Sequence, residues 1–137
     1  MIVSLHVASG GLVGALAGNR RRALLLGLAA HAAGDAVPHW DVASRRFEIA
    51  SGVAGLLLLA ATRGPASPAV VGAIGASVPD VEHVLPLPRP GGRKLFPSHR
   101  VRGWHKSGGL TTSTQLLAAG VILGVLASTQ RYGRVGR

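Results

Sequence analysis

The stretch that decides the fold is GLTTSTQLLAAGVILGVLAS, residues 109–128. It carries no Asp, Glu, Lys or Arg over its whole length. A helix of about 20 apolar residues is what a bilayer core requires. Four further apolar runs precede it, at residues 2–18, 23–37, 49–62 and 66–78. The first just reaches spanning length. The other three span only with their polar ends included, or they pack inside the bundle. Most of the runs lack the polar stripe of a helix facing water. Gly10, Gly14 and Gly18 form overlapping G-x-x-x-G units, and Gly120 with Gly124 forms another. Such units let helices approach closely. These features predict an all-α chain, a small integral membrane bundle of about four or five helices. Residues 1–137 read as a single membrane-embedded domain. Residues 79–107 form a polar loop rich in Pro, Gly and Arg. The rival is a soluble bundle of buried helices. Ala15-Leu16-Ala17 looks like a signal cleavage site, but no basic residue precedes the run, so the segment reads as a retained helix.

Composition narrows the function. The chain has 15 Lys and Arg against 5 Asp and Glu, a formal charge of +10. Charge of that size suggests nucleic acid, but no binding motif is present and the Arg residues are scattered between apolar runs. Aromatics are only 4 %, too few for base-stacking surfaces. A specific nucleic-acid partner is therefore not expected. With no cysteine, thiol chemistry and zinc ribbons are excluded. In a five-span layout, 8 basic residues fall on one face and 7 on the other, as headgroup anchors would. The expected partner is membrane lipid.

The rare residues carry the chemistry. Six His and five acids make eleven, and only Glu48 stands apart from four short clusters. His31-x-x-x-Asp35 puts an imidazole and a carboxylate on one helix face. Gly34 and Pro38 then end that helix, and His39 and Asp41 follow. Residues 75–83 echo the pattern: Gly34-x-x-Val37-Pro38-His39-x-Asp41 aligns with Gly75-x-x-Val78-Pro79-Asp80-x-Glu82, and His83 follows. His99 and His105 lie just before the last apolar run, and His6 lies near the start of the first. In the five-helix layout all four clusters fall on one membrane face. An ionised carboxylate near hydrocarbon needs a partner, and mixed His and carboxylate ligands suit Zn, Mn or Fe. One or two divalent ions are expected. His31, Asp35, Asp80 and His83 are the leading ligands, with His6 and His99 next. His39, Asp41 and Glu82 are expected to complete a second metal position or to orient the ligands.

Val78-Pro79-Asp80-Val81-Glu82-His83 resembles the P-D-[IVL]-[DE]-H element of the bacterial membrane-bound metal-dependent hydrolase-like family. The stretch His99-Arg100-Val101-Arg102-Gly103-Trp104-His105-Lys106-Ser107 is similar to that family's H-R-G-x-T-H-S element. Its two His are six apart rather than five, Val101-Arg102 interrupts Arg-Gly, and no Thr precedes His105. The resemblance implies a small bacterial inner-membrane protein with metal-dependent hydrolase activity. Glu82 would serve as base, His105 would protonate a leaving group, and Arg100 and Arg102 would bind a phosphate oxyanion. A lipid or lipid-linked phosphoester is the expected substrate. The alternative is a non-enzymatic membrane protein whose His/Asp cluster or bound metal is structural.

Overall fold

The computed structural model describes the backbone of residues 1–135. The chain is all-helical, with no β-strand among the described residues. The long elements are α1 (Val3–Leu16), α2 (Arg20–Ala36), α3 (Arg45–Arg63) and α4 (Pro68–Ser77). The short α5 (Val81–Val84) and α6 (Pro97–Arg100) precede the last long helix, α7 (Thr112–Val135).

Each start has a local cause. The side chains of Asn19, Ser44 and Ser67 accept hydrogen bonds from Arg22, Phe47 and Val70 N–H. These caps satisfy N–H groups that helix geometry leaves without a partner. Gly18 has φ +75° and makes the turn from α1 into α2. It is a turn glycine rather than a packing one, contrary to the expected second G-x-x-x-G unit of α1.

Helix α1 runs through the middle and packs against α2, α3, α4 and α7. That position explains its missing polar stripe. Ile2, Leu5, Val7 and Ala8 meet Leu59 of α3, Val70 and Ala73 of α4, and Ala119, Leu123 and Leu126 of α7. On its other side α1 touches α4 almost backbone to backbone. A Cβ added at Gly72 would collide with the Gly10 carbonyl oxygen, and one at Gly14 would collide with that of Pro68. Gly27 meets Gly72 in the same way, which brings in α2. The expected seam of small residues is therefore real at Gly10 and Gly14. Gly120 and Gly124 differ, because a Cβ there would meet no described atom within 4 Å.

Helix lengths support only one candidate span among the described residues. At about 1.5 Å per residue, α1 and α4 rise about 21 and 15 Å, short of a bilayer core of about 30 Å. Among the described residues, only residues 112–129 in α7 are both long and apolar enough to cross, with mean hydropathy 1.4. Only 22 % of that window is buried. Large apolar side chains point outward within that window and beyond it: Leu117, and Leu16, Leu25 and Leu57 elsewhere, are each more than 60 % exposed.

Candidate metal centre

Three helix ends and one loop converge. His6 comes from the first turn of α1, His31 and Asp35 from the last turns of α2, Asp80 from the turn after α4, and His99 from α6. The convergence of these clusters expected from sequence is thus present, although most of the helices are short. Residues 79–107 also carry more structure than an open loop, because they contain α5 and α6.

The two echoing helix ends use proline differently. Before Pro38, Val37 is extended (ψ 127°), as the proline ring favours, and the helix stops. Before Pro79, Val78 stays helical (φ −56°, ψ −41°), and a 3₁₀ turn leads into α5. Asp80 therefore turns back toward α2, and Glu82 lies beneath the residues of α6.

At the floor of the site, three ligand atoms form a nearly equilateral triangle. His31 Nε2 lies 3.0 Å from Asp35 Oδ2, His99 Nε2 lies 3.3 Å from the same oxygen, and the two Nε2 atoms are 3.2 Å apart. The protons on the far sides of the rings are assigned by their partners. His31 Nδ1 donates to the Ala76 carbonyl at 2.8 Å. His99 Nδ1 donates to Glu82 Oε1 at 2.6 Å. Both neutral rings then present a bare Nε2 lone pair to a carboxylate oxygen. Three acceptors meet with no donor among them, and only an added proton or a cation relieves this. A tetrahedral ion with ligands at about 2.0 Å has edges of about 3.3 Å, which matches the triangle.

More buried atoms lack partners here. Both ring nitrogens of His6, Asp35 Oδ2 and Asp80 Oδ2 are buried with no hydrogen-bond partner among the described residues. His6 stacks on His31 with centroids 4.1 Å apart, and its Nε2 is 3.2 Å from Asp35 Oδ1. His6, His31 and Asp35 are 0–2 % exposed. Buried polar groups without partners are costly, so their convergence on one point calls for a ligand. The donor set therefore fits a divalent metal, and His6, His31 and Asp80, like His31, Asp35 and His99, lie close enough together to hold one.

Electrostatics follow from the same contacts. Burial pulls the His99 imidazole down, but the carboxylates of Asp35 and Glu82 outweigh it and hold His99 above its ordinary range. The same two carboxylates that favour a proton on His99 would favour a cation beside it. Burial raises Asp80, and the Asp35 charge adds to this against the pull of His31. Burial also pushes Glu82 up, yet the N–H of Leu95 and the His99 ring bring it below the usual carboxylate range.

Of the four leading ligands, His31, Asp35 and Asp80 come together, and His83 lies close enough to Asp80 and His99 to hold an ion with them. His83 packs edge-on against His99, its Nε2 3.2 Å from His99 Nδ1. Burial lowers it to about 4, helped by the His99 and Lys94 charges. His99 reaches further in, to Asp35. Both Glu82 oxygens are engaged, Oε1 by His99 and Oε2 by the Leu95 N–H at 2.6 Å. Glu82 orients His99 rather than standing free as a base. Burial lowers His105, and the nearby chain nitrogen and His39 add to this. Arg100 and Arg102 are exposed and do not line the cavity over the cluster.

That cavity has a volume of about 540 Å³. Its polar side includes Asp35, Asp80 and His99, and its two cations are Arg45 and Lys94. Val42, Ile49 and Val84 give it an apolar wall. Sequence reasoning missed both cations and set Glu48 aside. Glu48 lines the cavity and accepts from Val3 N–H at 3.3 Å, so it caps α1. It missed Gln115 as well, a fully buried residue that accepts from Ile2 N–H and donates to the Trp40 carbonyl. The signal for both was the start of α1, whose N–H groups need acceptors. No family model, curated protein or solved structure matches the chain.

Proposed function

We propose that the protein is a membrane-embedded, metal-dependent hydrolase acting on a lipid or lipid-linked phosphoester. The observation that carries the metal reading is the triangle of bare acceptors at His31, Asp35 and His99. Its imidazole and carboxylate ligands favour zinc, manganese or iron over magnesium or calcium. Membrane embedding is supported by α7, by the outward-facing leucines and by burial of the polar groups. The likeness of residues 78–83 to the membrane-bound hydrolase-like family points the same way and gives the inner membrane as the site of action.

Each part of the cavity has a task. A bound divalent cation lowers the pKa of the water it holds toward neutrality. Asp80, whose carboxylate lines the cavity, would take a proton from water there. Glu82 fixes the His99 ring so that Nε2 faces inward, which is how orienting carboxylates serve metal-binding histidines. Arg45 and Lys94 would hold the phosphate oxygens, and Val42, Ile49 and Val84 would receive the start of an acyl chain. The structural alternative draws on the same cluster, because its residues tie α1, α2, α6 and the turn after α4 together.

Detergent-purified protein loaded with zinc or manganese is the material for the test. Release of headgroup or phosphate from mixed phospholipid micelles is expected. The release should disappear in Asp35→Asn and in Asp80→Asn. Stoichiometric metal with no turnover on phosphoester, ester or amide panels rejects the enzyme and leaves the structural role.

A further inference from the structure

A second group of ligands stands at the mouth of the cavity. His39 Nε2 lies 2.9 Å from His105 Nε2 and 3.3 Å from Asp41 Oδ1, and His105 Nε2 lies 3.9 Å from that oxygen. This is not the set expected from sequence. Glu82 belongs to His99, and His105 takes its place beside His39 and Asp41.

The tautomer argument applies again. His39 Nδ1 donates to the Val37 carbonyl at 2.6 Å, so its Nε2 carries a lone pair. That lone pair faces the Nε2 of His105. The Met1 nitrogen also contacts His39 Nε2 and lies 3.3 Å from Asp35 Oδ1, between the two groups. The His39 side chain is fully buried, whereas Asp41 is 68 % and His105 38 % exposed. One ligand is therefore anchored and two are open to water, which leaves room for further ligands on the outer side.

The backbone holds the group in register. His39 N–H donates to the Lys106 carbonyl at 3.2 Å, Trp40 N–H to that of Leu110 at 2.9 Å, and Leu110 N–H to that of Pro38 at 2.9 Å. Gly109, at φ +74°, lets the Pro38 carbonyl come within what would be contact of any Cβ. These bonds join two segments distant in sequence, 38–40 and 106–110, before any ion arrives. Little ordering remains for a cation to impose, and preformed ligands of this kind bind more readily.

We propose that His39, Asp41 and His105 form a second divalent-cation site, separate from the floor triangle and facing the same cavity. Its chemistry, two imidazoles and a carboxylate with open positions, suits a zinc-type ion. Asp41 and His105 line the cavity with Asp35 and His99, so an anion held there would meet both positions. The site does not depend on the hydrolase reading, because it asks only for binding.

The test is zinc content of full-length detergent-purified protein, loaded with zinc alone and then desalted. Wild type should hold two equivalents and His105→Ala one. Asp35→Asn should also hold one, so a failure at the floor is separable from a failure at the rim. His105 is partly exposed, and thermal unfolding in chelator should be unchanged in His105→Ala, which checks that the variant folds. Wild type holding one equivalent that His105→Ala keeps, or His105→Ala keeping two or losing both, overturns the proposal.

Discussion

The floor and the rim of the cavity contain the same ligand types in different surroundings. The floor triangle of His31, Asp35 and His99 is buried, and each histidine is aimed by an acceptor on its far side, Ala76 carbonyl or Glu82. The rim trio has one buried member, His39, and two exposed ones. At the floor the ligands come from packed helices. At the rim they come from links joined by three backbone hydrogen bonds. Burial makes an unpaired acceptor expensive, so the floor gains most from a cation. At the rim Asp41 and His105 are partly solvated and gain less, while buried His39 anchors the site. The difference teaches that ligand identity sets which ion is preferred, while burial and orientation set how strongly it is held.

The largest expected effect is at Asp35, which touches His6, His31 and His99 at once. Asp35→Asn should weaken zinc binding at the floor by more than about 100-fold, since losing an orienting partner alone costs about 10–100-fold. Competition against a chromophoric chelator measures this. A loss equal to that in Asp41→Asn would erase the distinction between the sites. Next is Glu82→Gln, which removes the charge behind His99 and should cost about 10–100-fold at the floor with the rim unchanged. An unchanged floor affinity would mean that Glu82 does not orient His99.

A change in packing sharpens the same contrast. Gly72→Ala places a methyl group against the Gly10 carbonyl, at the seam of α1 with α4. Overpacking of this kind costs about 1–3 kcal/mol and should also loosen Ala76, the acceptor for His31. Chemical denaturation and zinc competition should show lower stability and weaker floor binding, with rim binding intact.

Acidity divides the sites more gently. His99 in the metal-free chain keeps its proton above the ordinary imidazole range. Metal must displace that proton, so floor affinity should fall as pH drops through this raised value, by about tenfold per unit per displaced proton. The linkage reverses for metal-free stability. The His99 contribution is complete below the unfolded value and is lost as pH rises through the folded one. His105 is lowered, so the rim proton is absent near neutrality and rim affinity should begin to fall only at lower pH. Parallel pH curves for the two sites would contradict the assignment. The smallest effect is expected at Asp41, whose exposed carboxylate should contribute only several-fold to rim affinity on conversion to Asn, read in the same competition assay.

Much of this was legible in the sequence. The rarity of acids pointed to Asp35 and Asp80, and the four-residue spacing placed His31 beside Asp35. The start of α1, the ends of α2 and α4 and the approach to α7 were expected to meet, and their His and Asp residues do meet. Membrane crossing was less legible because apolar runs look alike whether they face lipid or a core. Helix α1 is apolar on all sides because α2, α3, α4 and α7 surround it. His83 and His99 were both expected near the site, but that His99 alone reaches Asp35 was not legible, because they sit on two separate four-residue helices and only the course of the chain between them decides which ring reaches inward. Arg45 and Lys94 were hidden among 13 Arg and 2 Lys, with no local pattern to mark them.

The central claim is that His31, Asp35 and His99 hold a divalent cation. It is tested most directly in the His105→Ala background, where the floor alone counts. Zinc-loaded and desalted His105→Ala should contain one equivalent by elemental analysis, and adding Asp35→Asn should reduce it to none while the helical circular dichroism persists. Zinc absent from the first protein, or retained in full by the second, would contradict the account.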